Sequence, residues 1–582
     1  MIRIKQILSL FALISTQLIS AQKTVVVDES IYLHANASTF VSGETLLYKV
    51  YCLKSSDKTP SVLSKIAYVE LVDSNKKPVL KTKIVLENSC GQGEYFIPTT
   101  LKTGKYKLIG YTSWILNKAT SDLFQMDITI INPFKADEKN ASDNILKTNQ
   151  GNSNLAVSTN EIISKDNNIS SENLKFNLNK KTFTNRELVD LKIESLNPLF
   201  KDGTYSLSVR KIDSLPSKKA VNPIDFLLTN QKTIIDLENQ KNNIVLPELR
   251  GENISGKIIA KDPNRKVENI AIAFSLPGKS FAFKIVMTDP NGAFNFTINK
   301  ANYNTNIIVQ IIDDHADYYT LSLDNPHQID YSKLIFPANE NLSYFYKESL
   351  LNRSISTQIE NAYFYKKTDN LINPVDVDPF YSSFEKEYIL DDYTRFKTLK
   401  ETITEVATEI YLKQLNNNYY LHVMDPNVFP QLPEPALVLI DGLLLQNQND
   451  LINYNMKNIF KIDLIAGRYY VGATSFNGLI CLTTFNKDFK SNQSESSMMK
   501  AAILRPQPKK VYYKIDYSDL SKNERIPDYR YQLLWLPQLT LASNENPISF
   551  YTSDLTGTFE ISLEGFTDQG IPVSLKDTFE VQ

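Results

Sequence analysis

Pro435-Ala-Leu-Val-Leu-Ile-Asp441-Gly442-Leu-Leu-Leu445, Ile459-Phe-Lys-Ile-Asp463-Leu-Ile465, Arg468-Tyr-Tyr-Val-Gly472 and Gly478-Leu-Ile-Cys-Leu-Thr-Thr-Phe485 form the stretch from which the rest of the chain is read. Its apolar runs have strand length and strand composition, and Asp-Gly and Gly punctuate them. Asp441-Gly442 at a strand end reads as a turn. Cys481, inside an apolar run, reads as core. Upstream, Thr398-Leu-Lys-Glu401 carries a capping-box pattern, and Leu399, Ile403, Val406, Ala407 and Ile410 follow at helical spacing. Tyr419-Leu-His-Val-Met adds a strand candidate. A small α/β domain over residues 388–487 is the expectation.

The order helix, strand ending in Asp441-Gly442, Tyr/Gly turn and Gly478-led final strand resembles the plug domain of TonB-dependent outer-membrane receptors. Tyr470-Val-Gly472-Ala-Thr-Ser-Phe476-Asn477-Gly478 keeps that family's frame but lacks its Arg. The departure makes Arg468, Tyr469, Tyr470 and Phe476 the candidate partner-contact residues. A receptor barrel needs about 22 strands of about 9–11 residues each. The 95 residues after position 487 read as linker and sandwich, so the expectation is a plug-like domain lacking a barrel.

Around this unit the chain is mainly β and multi-domain. Arg3 and Lys5, an apolar run Ile7 to Ile14, and Ile19-Ser20-Ala21 before Gln22 give residues 1–21 the form of a secretory signal. Residues 22–131 alternate in many short strands, as a β-sandwich does. The spacing Tyr32…Gly43-Glu44…Tyr48 with Gly93-Glu-Tyr-Phe-Ile-Pro98…Gly104-Lys-Tyr resembles the macroglobulin MG2 domain. Within it, Ser89-Cys90-Gly91-Gln92-Gly93-Glu94 evokes the macroglobulin thioester motif, but Gln92 stands two residues from Cys90 where three are needed, so a Gly-rich turn is expected. Residues 132–172, rich in Asn, Ser, Lys and Asp, read as a flexible linker. Residues 173–250 restart as a second macroglobulin-like sandwich with an irregular extension. Ile254-Ser-Gly256-Lys-Ile-Ile and Asp289-Pro-Asn-Gly292-Ala-Phe-Asn-Phe resemble the carboxypeptidase regulatory-like domain, a small sandwich over 251–330 that brings no catalytic residue with it. A connector covers 331–387, helical near Arg353 to Tyr365. A second linker, 488–510, precedes a C-terminal macroglobulin-like sandwich over 511–582, whose Trp535…Phe550-Tyr-x-x-Asp554-x-x-Gly557-x-Phe559 order carries the resemblance. The same combination of modules occurs in exported Bacteroidota proteins.

Composition narrows the function. Lys plus Arg total 63 and Asp plus Glu 65, so there is no basic excess to hold nucleic acid. Three cysteines do not make a disulfide scaffold, and Cys52 and Cys90 either pair or stand as buried thiols. Only four histidines occur: His34, His315, His327 and His422. None sits in a known spacing with Cys or Ser, and no Gly-x-Ser-x-Gly, His-Glu-x-x-His or phosphate loop is present. Asp313-Asp314-His315 with Asp317 reads as a solvated loop. No catalytic, cofactor or metal residue is therefore named. The resemblances imply an exported, periplasmic or outer-membrane-associated protein without enzymatic activity. Its plug-like domain would dock on, or occlude, an outer-membrane β-barrel protein or its secretion or uptake complex. The alternative is a peptide- or glycan-binding protein that uses its β-modules.

Overall fold

The computed structural model describes residues 24–135, 172–227, 233–236, 244–278, 281–299, 304–313, 315–325, 328–338, 343–372, 384–431, 433–491, 498–519 and 525–582. The signal segment 1–21, most of the linker 132–172, Asp314 and His327 lie outside the described residues. The chain is mainly β and multi-domain, with several β-sandwiches and one small α/β module. No described helix is long and apolar enough to cross a membrane. Two compact units divide it: residues 1–249, 327–372 and 507–582 form one, and 250–326 with 373–506 the other.

In the first unit, strands Ser30–Ala35, Thr45–Leu53 and Cys90–Phe96 form one sheet of the N-terminal sandwich. Thr39–Val41, Phe124–Ile131, Gly104–Tyr111, Ile66–Asp73 and Pro78–Val85 form the other. Phe40, Leu46, Val50, Val69, Leu108 and Ile128 fill the space between them. Thr45–Leu53 is buried along almost its whole length because both of its faces are covered. Lys49, on this strand, is therefore fully buried, and its Nζ donates to the Tyr205 carbonyl at 3.0 Å. The thioester-like segment is a strand entered through a tight turn at Asn88 and Ser89, both at positive φ. Its Gln92 Nε2 donates to the Lys510 carbonyl. Cys52, Cys90 and Cys481 are all buried, and none of the three is in a disulfide.

The separate sandwiches expected at 173–250 and 511–582 are one sandwich. Leu188–Ser195 pairs with Leu174–Leu178 on one side and with Glu545–Tyr551 on the other. Gly203–Lys211 lies between Gln532–Leu539 and Gly557–Thr567, and Pro572–Val581 continues that sheet. Leu191, Ile193, Leu207, Val209, Phe559, Ile561, Leu563 and Phe579 share its core. Each half alone has too few strands to bury an apolar face. Period-2 alternation assigns a residue to a face but does not say which strand lies alongside.

The connector supplies the helix Lys347–Ala362. Its Arg353 is buried and forks onto Glu44 through Nε to Oε1 and Nη2 to Oε2, both at 2.8 Å, while Nη1 reaches Asp213 at 3.0 Å. Arg210 joins Glu44 at 3.1 Å. Burial alone would raise the Glu44 carboxyl, but Arg353 and Arg210 hold it below the ordinary value.

In the second unit, Ala282–Met287, Ala271–Leu276 and Asn306–Ile312 form one sheet of a small sandwich, and Ala293–Ile298, Glu252–Ala260 and Tyr319–Leu323 the other. The expected linker 488–510 is corrected here. Met498–Ala502 runs antiparallel to Asn306–Ile312 as that sheet's edge strand, and Lys510–Val511 pairs with Asn370–Leu371 in the first unit. The chain also carries Arg505 back to a buried ion pair with Glu252.

The α/β module has a five-stranded sheet in the order Lys386–Ile389, Ile459–Val471, Thr474–Thr484, Leu437–Ile440, Leu443–Leu444. One face packs on the capping-box helix Leu399–Glu405 and the hairpin Ile410–Leu415/Asn418–Val423. The other packs on Ala271, Ala273, Phe283 and Ile285 of the small sandwich. The helix is shorter than the Leu399-to-Ile410 periodicity implies. Thr402, Ile403, Thr404 and Val406 are β-branched and disfavour its continuation, and Ile410 starts a strand instead.

Candidate functional site

Asp441 and Gly442 have φ of +50° and +85°, and Ile440 pairs with Leu443 across them. That is the two-residue hairpin turn Asp-Gly favours. A side chain on Gly442 would run into the Phe281 ring. The Asp441 carboxylate accepts from Thr484 N (2.9 Å), Thr484 Oγ1 (2.6 Å) and Phe489 N (3.0 Å). Asp441 is thus a brace that ties the turn to the end of the neighbouring strand, and no oxygen of it is presented to solvent chemistry.

The four candidate contact residues lie on the hairpin Ile459–Val471/Thr474–Thr484. Gly472, at φ +60°, opens its two-residue turn, and a Cβ there would lie 2.6 Å from the Ile285 carbonyl oxygen. Register pairs Arg468 with Asn477, Tyr469 with Phe476 and Tyr470 with Ser475. Alternation then splits the four. Tyr469 and Phe476 pack on the apolar layer around Phe283, Ile285 and Val471. Arg468 is exposed, and Tyr470 is 66% exposed. Two of the four therefore hold the hairpin down and two face outward.

A residue absent from the sequence-based set is also exposed on this module. Phe429 is 97% exposed, on a loop that is cross-braced. Gln431 Oε1 accepts from Asp425 N at 2.9 Å, and Gln431 Nε2 donates to the Asp425 carbonyl at 2.8 Å. The loop's far end meets the hairpin, where Asn477 N donates to the Pro435 carbonyl at 3.2 Å. Met424, at its start, is 46% exposed. Asp425-Pro-Asn-Val-Phe429-Pro was legible as a turn-rich loop, but exposure of its Phe was not.

A concave feature lies in the first unit. It is a cleft of about 370 Å³ whose lining includes His34, Ser208, Glu560, Ser562, Glu564 and Lys576. Its floor is one face of the second sandwich. Register sets Ser206, Ser208 and Arg210 opposite Glu564, Ser562 and Glu560, and these opposite Ser574, Lys576 and Thr578. The opposite face of the same strands is the apolar core. Glu564 is 6% exposed, and its Oε2 accepts from the Tyr32 hydroxyl at 2.5 Å. His34 Nδ1 lies 2.6 Å from Ser206 Oγ, and its Nε2 lies 3.7 Å from Glu564 Oε2. This serine–histidine–glutamate trio joins residues 172 positions apart and more, so no spacing could reveal it. Burial drives the His34 pKa down to about 3, aided by Lys576 and Lys49, which makes it a poor base. Ser206 is fully buried. The trio is a framework inside the protein, without a reachable nucleophile. Among the described residues, no cluster of three or more His, Cys, Asp or Glu is placed to hold a metal.

No protein-family model matches the chain, and no curated protein matches it. Among solved structures, Salmonella α-2-macroglobulin reacted with methylamine aligns at 9% identity over 95% of this chain and 39% of its own, with a TM-score of 0.22. Escherichia coli α-2-macroglobulin activated by porcine elastase aligns at 7% identity over 95% and 44%, with a TM-score of 0.23. The chain spans less than half the length of these structures. At such TM-scores the likeness carries no argument about activity.

Proposed function

We propose that this is a non-catalytic, exported protein-interaction protein whose α/β module docks on an outer-membrane β-barrel protein. The observation that carries the reading is Phe429, 97% exposed on a braced loop of the same module whose hairpin turns Arg468 and Tyr470 outward. A large aromatic side chain held fully in water on an ordered loop has the form of an interface anchor, and Tyr and Arg are the residue types that most often carry binding energy beside one. Support for a barrel as partner comes from the plug-like order of Asp441-Gly442 and the Gly478-to-Phe485 strand.

The test is affinity purification from detergent-solubilised envelope, with mass spectrometry of what is recovered. The wild-type chain should recover a β-barrel protein. Phe429→Ala combined with Tyr470→Ala should reduce that recovery at least about tenfold, as loss of two interface anchors does. The thermal transition should stay in place, since neither side chain is packed. Recovery of no barrel protein, or unchanged recovery by the double variant, overturns the reading.

A further inference from the structure

We propose that the cleft over the polar sheet face of the first unit is a binding site for a primary ammonium group, such as the end of a lysine side chain. The site is separate from the docking surface on the α/β module and stands if that reading fails.

The lining carries six basic side chains, Arg210, Lys211, Lys218, Lys219, Arg353 and Lys576, against three acidic ones, Asp213, Glu560 and Glu564, and the pairing among them singles out Glu564. Arg210 and Arg353 are neutralised by Glu44, and Arg353 also by Asp213. Lys218 faces Asp127, Lys219 faces Asp225, and Lys576 is held by Glu560 at 2.9 Å. Lys211 donates to the Thr556 carbonyl. Glu564 differs. Its nearest basic partner is His34, which is neutral at pH 7. Among the described residues no group hydrogen-bonds Glu564 Oε1. A buried carboxylate without a cation is costly, and an arriving cation relieves that cost.

Geometry selects ammonium over guanidinium. Arginine pairs with a carboxylate through both oxygens, but the Tyr32 hydroxyl already holds Oε2. One oxygen remains, with Ser562 two residues along the same strand and Ser208 opposite Ser562; Ser208 Oγ accepts from Gln532 Nε2 at 2.9 Å and keeps its second lone pair. Three acceptors suit the three N–H bonds of an ammonium group. The cleft volume lies near the lower end for small-ligand pockets, enough for one side chain.

Burial pushes Glu564 up to about 7, against the lowering effects of the Tyr32 bond and Lys576 and with Glu560 raising it further. The titratable and charged groups facing it from packed elements are Tyr32 and His34 on one strand, Lys49 and Tyr51 on the next, Arg210 on its neighbour, and Lys576 across the hairpin. Binding should therefore strengthen about tenfold from pH 6 to pH 8 as the carboxyl ionises.

Isothermal titration of the full chain with acetyl-Ala-Lys-Ala-amide and with 1,4-diaminobutane at pH 8 tests the site. Support would be binding of either amine that weakens at least about tenfold in Glu564→Gln, as loss of the partner charge requires. The same weakening should appear in Ser562→Leu, which fills the cleft without altering the carboxylate. A preference for the peptide assigns the ammonium to a protein lysine, and a preference for the diamine assigns it to a free polyamine. Equal affinity in wild type and both variants, or equal binding of the matching norleucine peptide, overturns it, as does no binding of either amine.

Discussion

Glu44 and Asp441 show how single side chains hold distant segments together. Glu44 belongs to the N-terminal sandwich, yet it gathers Arg210 from the second sandwich and Arg353 from the connector helix. Removing one partner of a buried ionic cluster leaves the others uncompensated, so Arg353→Ala should cost about 3–5 kcal/mol, read by urea denaturation. The folded-state Glu44 carboxyl is below its ordinary value. Its contribution is complete above pH about 4.5 and is lost as pH falls through the lower folded value. Wild type should thus lose stability in acid more steeply than Glu44→Gln. Glu564 carries the opposite sign, because its folded value is raised to about 7. Its ionisation opposes folding as pH rises from about 4.5 to about 7. Glu564→Gln should therefore raise Tm more at pH 8 than at pH 5. Asp441→Ala strips three donors of their acceptor and places Ala at positive φ, at a cost of roughly 3 kcal/mol.

At the scale of elements, the segment read as linker is a working edge strand. Met498–Ala502 covers the open side of Asn306–Ile312, where Ile307, Val309 and Ile311 are fully buried. Replacing residues 498–502 with a Gly-Ser sequence should expose that ladder. Amide exchange across Asn306–Ile312 should then quicken by at least about tenfold, while exchange in Ile561 to Leu563 stays unchanged. The signal was weak because Met498-Met-Lys-Ala-Ala502 has a low β-propensity composition, and its half-buried pattern follows from the neighbour it meets. The α/β module was more legible. Capping box, Asp-Gly turn and Gly-flanked apolar runs each act within a few residues, and each stands where local chemistry placed it. The split of Arg468 and Tyr470 from Tyr469 and Phe476 follows from strand alternation, but the covered side was set by the small sandwich.

At the scale of the whole molecule, the second sandwich is closed by strands more than 300 residues apart. A chain ending at residue 506 lacks Gln532–Leu539, Glu545–Tyr551, Gly557–Thr567 and Pro572–Val581, so Leu188–Ser195 keeps only Leu174–Leu178 beside it and Gly203–Lys211 loses both neighbours. Limited proteolysis of that truncation should cut between residues 172 and 211, where the full chain resists; resistance in both would refute the shared core. The sequence by itself determined the mainly β class, the strand faces, the turns and the capped helix, because these depend on propensity and periodicity within about ten residues. Only the tertiary structure decided which strands share a sheet, which aromatic side chains remain in water, and that His34, Ser206 and Glu564 meet. Those outcomes depend on burial between distant segments, and a one-dimensional pattern carries a residue's preference for burial but not the identity of what buries it.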